Sequence, residues 1–95
     1  MFVVTLTYTA PIERIDALLT EHRAWLDRQY AAGVLLASGP QLPRVGGIML
    51  ARAADRAALD AVLDGDPFRQ ADVATYHIVE FDPIKTAPEL DFLRA

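Results

Sequence analysis

Residues 2–33, FVVTLTYTAPIERIDALLTEHRAWLDRQYAAG, change their hydrophobic period once, and that change decides the fold. Phe2, Val4, Leu6 and Tyr8 alternate with Val3, Thr5 and Thr7, the period-two pattern of a strand with two unlike faces. Pro11 stands where a helix would begin, because a first-turn proline gives up no intrahelical hydrogen bond. Ile15, Leu18, Leu19, His22, Leu26 and Gln29 then recur at helical spacing, with Ile12, Trp25 and Tyr30 flanking the stripe. The pattern predicts one helix of about five turns. It stops at Gly33, a residue suited to a left-handed C-cap.

Beyond Gly33, Val34 to Ala37 is a short apolar strand ending in Ser38-Gly39-Pro40, and Gly46-Gly47 leads into a strand at Ile48-Met49-Leu50-Ala51. Asp55 is placed to cap a second helix with Ala58, Leu59, Val62 and Leu63 on its apolar face, ending near Gly65. Asp66-Pro67-Phe68 opens a short turn or single-turn helix. Ala74 to Phe81 is the last strand, with Tyr76 and Ile78 on one side and Thr75, His77, Val79 and Phe81 on the other. Pro83 and Pro88 mark a tail, with a short turn around Glu89 to Leu93. The order strand, helix, strand, strand, helix, strand predicts an α+β fold. Its right-handed crossovers give a ferredoxin-like βαββαβ unit, a four-stranded antiparallel sheet with both helices on one face.

Ninety-five residues suit one domain, 1–95, with a core over 2–81 and a C-terminal tail over 82–95. A hydrophobic content of 53% with 23% charged residues excludes a disordered chain and a coiled coil. The net charge is −4 and the arginines are dispersed, which argues against a nucleic-acid partner. Without cysteine there is no disulfide, thiolate catalysis or thiolate metal site. The first residues lack a basic region before their apolar stretch and read as a strand rather than a signal peptide. No apolar run approaches the length of a membrane helix, so no membrane association is expected and a cytoplasmic protein is the default. Two helices cover only one sheet face, yet Ile48, Met49 and Leu50 put apolar side chains on both. Homodimerisation through the open face resolves that mismatch.

His22 is the most informative polar residue. It follows Leu19 by three and precedes Leu26 by four, so it shares the core-facing stripe. One reading makes it a core histidine bonded to a backbone carbonyl; the other puts it at the wall of a pocket as a general acid or base. Asp66 also has two readings, a turn cap accepting backbone N–H bonds or a carboxylate that fixes a histidine tautomer. Spacing alone does not bring the two together. Asp64 is the less attractive alternative, nearer the solvent-facing end of its helix. Ser38, Gly39 and Pro40 are either a turn signal or donors at a pocket mouth. Ser38 lacks the G-x-S-x-G setting of a hydrolase nucleophile, and Gly46-Gly47 matches no nucleotide-binding fingerprint. With only His22 and His77, and no ligand spacing, neither a metal nor a cofactor is expected. Tyr8, Trp25, Tyr30, Phe68 and Tyr76 are candidates to line a pocket for an aromatic ligand, or simply core and interface residues.

The histidine inside the first helix, Ser38-Gly39-Pro40, the glycines before the third strand and Asp66-Pro67-Phe68 together resemble the YCII-related domain family, over Phe2 to about Phe81. The resemblance implies a dimeric α/β barrel of two ferredoxin-like protomers and a histidine–aspartate pair in a cleft, here His22 and Asp66. It adds Ser38 to that site, with Gly39, Pro40 and Phe68 as substrate-binding neighbours. One related enzyme is a dehydrochlorinase acting on a chlorinated hydroxyhydroquinone, so the implied reaction class is a lyase-like elimination. The chain departs from the pattern at Asp72, where the family has glycine after Asp-Pro-Phe-x-x-Ala; aspartate tolerates the left-handed backbone that glycine would serve. The Asp72 carboxylate is expected to add negative charge near the pocket, with Arg69 offsetting it. Three functions follow as expectations. The first is an enzyme using His22 and Asp66 for acid–base chemistry on a hydroxylated cyclic or aromatic compound. The second is a small-metabolite-binding dimeric module, and the third a structural accessory protein.

Overall fold

In the computed structural model, which describes residues 1–94, the chain runs β1 (Phe2–Tyr8), α1 (Ile12–Ala17), α2 (Leu19–Ala31), β2 (Leu35–Pro40), β3 (Gly46–Ala51), α3 (Arg56–Leu63), α4 (Pro67–Gln70) and β4 (Ala74–Glu80). A 3₁₀ turn at Pro88–Leu93 falls where the tail turn was expected. The strands form one antiparallel sheet in the order β2-β3-β1-β4, the ferredoxin-like arrangement. Register follows the alternation in β1: Val4 lies opposite Met49 and Ile78, and Leu6 opposite Gly47 and Tyr76. Phe2, Val4 and Leu6 are buried with Leu35, Met49 and Ala51, beneath Ile15, Trp25, Leu59, Leu63 and Phe68 from the helices. The other face carries Val3, Thr5, Ile48, His77 and Val79. No helix among the described residues is long and apolar enough to cross a membrane.

Three expectations about element bounds are corrected. The single helix after Pro11 is two, broken at Leu18, whose backbone (φ −101, ψ −4) ends α1 and starts α2. Ile15 is the buried residue of α1 and Trp25 that of α2. In a straight helix, at roughly 100° per residue, they would lie about 80° apart. Trp25, expected on the flank of the stripe, is buried, while Ile12 and Tyr30 are exposed. Second, Ser38-Gly39-Pro40 is part of β2 rather than a turn after it. β2 is an edge strand, where a proline without an N–H interrupts no ladder, and the pairing runs regularly from Ala37 to Pro40 after a register shift at Leu35/Ala37. Third, β3 begins at Gly46 rather than Ile48. There β1 passes so close that a Cβ on Gly46 would lie 1.7 Å from the Leu6 carbonyl oxygen.

The turn chemistry is as expected. The Asp55 side chain accepts a bond from the Ala58 N–H at 2.8 Å and caps α3. Gly33 (φ 77) takes the left-handed conformation after α2. Asp72 (φ 55) does the same after α4, the conformation its place in the family pattern implied.

Candidate functional site

The turn from α3 into α4 is written in Asp66-Pro67-Phe68. Asp66 is the N-cap of α4, its extended backbone allows Pro67 to occupy the first turn, and its Oδ1 accepts the Phe68 N–H at 3.0 Å. The same Oδ1 lies 2.7 Å from Nδ1 of His22, which α2 brings down from the opposite side. Oδ2 accepts the Tyr76 hydroxyl from β4 at 2.5 Å. Asp66 is fully buried, and three donors satisfy its carboxylate. Both sequence readings of Asp66 are therefore realised in one side chain, which caps a turn and meets an imidazole. His22 takes the less bland of its two readings, bonding a carboxylate rather than a backbone carbonyl.

This geometry sets the tautomer. A carboxylate offers only acceptors, so Nδ1–H of His22 donates to Asp66, and in the neutral ring the lone pair is on Nε2. Nε2 makes no hydrogen bond among the described residues. The imidazole is clamped flat against Phe68, with ring centroids 3.9 Å apart and planes within 9°, and stacks more loosely on Trp25 at 6.0 Å. Tyr76 completes the support. Burial first, and then the adjoining Asp66 charge, raise its phenol above the ordinary value, so it remains a donor.

A cleft of about 340 Å³ opens beside this pair, between α2 and the β2–β3 end of the sheet. His22 and Phe68 form part of its wall, with Leu6 and Met49 as apolar floor and Tyr8 at one side. Ser38, Gly39 and Pro40 line it from β2, and the Ser38 hydroxyl is 2.5 Å from that of Tyr30, two turns after His22 on α2. Arg23 and Arg44 also border it. A larger hollow, about 620 Å³, lies at the other end of β1 beneath the C-terminal tail and touches neither His22 nor Asp66.

His22, Ser38, Gly39, Pro40 and Phe68 thus share one cleft, with Asp66 behind the imidazole. Of the other aromatic candidates, Tyr8 lines it, Trp25 is core, Tyr30 acts through Ser38 and Tyr76 through Asp66. Two expectations fail. Asp72 is not part of the lining; it takes the left-handed turn between α4 and β4. Arg69 does not offset it: its Nε is 3.4 Å from Asp64, and its guanidinium lies over the Tyr76 ring. His77 lies on the open sheet face opposite Thr5, and no group of three or more His, Cys, Asp or Glu fit to hold a metal occurs among the described residues. Tyr76 as a partner of Asp66 was missed. Alternation put it on the same side of β4 as Ile78, but nothing local links residues ten apart across a turn.

Fold and cleft define a class of small α+β proteins in which an imidazole, backed by a buried carboxylate, faces a one-ring-sized hollow. The sequence model of the YCII-related domain matches residues 1–82, and the chain belongs to that family. Among solved structures it is similar to the 5-chloro-2-hydroxyhydroquinone dehydrochlorinase of Burkholderia phenoliruptrix AC1100, in complex with 2,5-dihydroxybenzoquinone. The TM-score is 0.68 and the identity 18%, over 86% of this chain and 94% of that one. None of the curated proteins matches the chain significantly.

Proposed function

We propose that the protein is a cofactor-independent enzyme that uses His22 and Asp66 for acid–base chemistry, a lyase-like elimination on a hydroxylated cyclic or aromatic compound. The observation that carries this is the 2.7 Å contact between His22 Nδ1 and a fully buried carboxylate, with the other ring nitrogen left free beside an open cleft. Nε2 takes a proton from the substrate, the electron pair of that bond forms a new π bond, and the leaving group departs from the far carbon with its own pair. Asp66 holds the ring in the tautomer that can accept. Ser38 bonds a substrate oxygen, and Phe68 with the floor of the cleft supplies the apolar wall. The likeness to a dehydrochlorinase supports the reaction class; at 18% identity it is a likeness of fold, and the substrate is this protein's own.

The same reading includes a cytoplasmic homodimer, joined through the open face of the sheet into an α/β barrel. Ile48, Val79 and Phe81 support it, being 44%, 49% and 42% exposed in the single chain.

A melting-shift screen of hydroxylated one-ring compounds identifies ligands, and product analysis separates turnover from binding. His22→Ala is expected to lower turnover about 10²–10⁴-fold while the protein stays folded. Full turnover by that variant sinks the assignment. Saturable binding with no product from any hit leaves the metabolite-binding module in its place.

A further inference from the structure

We propose that the cleft selects a planar anion, a single flat ring bearing an ionised oxygen, and that Arg23 is the residue that selects it. The inference rests on the reading of the cleft as a small-molecule site, but it concerns charge rather than catalysis. The chain as a whole is acidic, with a net charge of −4, yet no Asp or Glu contributes to the cleft lining. Its ionisable side chains are His22, Arg23, Arg44 and Tyr8. Two carboxylates lie close to the lining: Asp66, behind the imidazole with both oxygens engaged by donors, and Asp16, engaged by Arg44.

The two guanidinium groups are not equivalent. Arg44 donates to Asp16 at 2.8 Å and lies over the Tyr8 ring, so its charge is already answered. Arg23 makes no ion pair among the described residues. It directly follows His22 in α2, about 100° further round the helix. That offset lets the imidazole form the wall while Arg23, an exposed residue, borders the same cleft. A guanidinium presents paired N–H donors, matched to a carboxylate or to the oxygens of a delocalised enolate.

Shape completes the argument. The cleft, about 340 Å³, is at the small end of ligand pockets and suits one ring. The parallel His22–Phe68 pair gives its wall a flat aromatic character, while Leu6 and Met49 exclude water from below. A neutral ring gains that apolar contact and neutral hydrogen bonds to groups such as Ser38. An anionic ring adds a charge-assisted bond to a cation with no competing partner.

Two matched pairs test this by calorimetric titration of the intact protein: benzoate against benzamide, and 2,5-dihydroxybenzoquinone, ionised at neutral pH, against hydroquinone. The carboxylate pair and the enolate pair distinguish the two sources of ionised oxygen. At least one anion is expected to bind about tenfold or more tightly than its neutral partner, a margin that added salt reduces. Arg23→Gln is expected to erase that margin while leaving the neutral compound's affinity within about twofold, and Arg23→Lys to restore part of it. Equal affinities within both pairs, a margin that survives Arg23→Gln, or no binding of any of the four compounds overturns the proposal. Because binding is read rather than turnover, those results are separate from the fate of His22→Ala. A wild type with no anion preference but His22-dependent turnover removes only the charge selection by Arg23, and anion preference in a protein without turnover removes only the catalysis.

Discussion

Asp66 holds three donors on two oxygens, and its neighbours were selected from three different elements: His22 from α2, Phe68 N–H from its own turn and Tyr76 from β4. Removing one donor from a buried carboxylate leaves it under-satisfied, at a cost of about 1–3 kcal/mol. Tyr76→Phe is therefore expected to lower unfolding free energy by that amount in urea titrations at neutral pH, and to leave the His22 ring less firmly held. The phenol also ties stability to alkaline pH. Its folded value is raised above the 10.0 of a free tyrosine, so its contribution is complete below pH 10 and is lost above it, as the unfolded chain releases the proton first. The loss is about 1.4 kcal/mol per pH unit while the folded phenol stays protonated. Comparing urea midpoints of the wild type and Tyr76→Phe between pH 9 and 11 isolates this component, which the variant lacks; parallel alkaline declines in the two proteins would refute it.

The secondary elements were legible where a local rule was enough. Period-two alternation placed the faces of β1 and β4, Asp55 and Gly33 marked helix ends, and Asp66-Pro67 announced α4. What was misread needed a neighbouring strand or helix to decide it. Pro40 extends β2 because that strand is at the edge. Leu18 interrupts the helix though no proline or glycine marks the place. Gly46 belongs to β3 because β1 passes against it, a contact no local pattern reports. Gly46→Ala would drive a Cβ into the Leu6 carbonyl, and because the obstacle is backbone in the centre of the sheet, relief requires shifting a strand. A loss of at least about 1–3 kcal/mol is expected by denaturant titration. A variant of wild-type stability would mean that β1 and β3 do not approach so closely.

Across the molecule, the helices cover one face of the sheet and leave Ile48 and Val79 on the other. If that face is closed by a second copy, Val79→Asp buries a charge in the interface twice over and the assembly separates, whereas a surface substitution elsewhere does not. Sedimentation equilibrium is expected to give twice the chain mass for the wild type and the single-chain mass for Val79→Asp. A wild type that sediments as one chain would remove the dimer from the proposal. The sequence by itself determined the order of strands and helices, the alternating faces of β1, the caps at Asp55 and Gly33 and that an imidazole lies on the core-facing stripe, because hydrophobic period and turn chemistry act over a few residues. Only the tertiary structure decided that His22 and Asp66, forty-four positions apart, share a hydrogen bond, that Tyr76 backs them, and that Arg23 borders the same cleft without an ion-pair partner. Such meetings are set by how helices settle on a twisted sheet, and no interval along the chain encodes them.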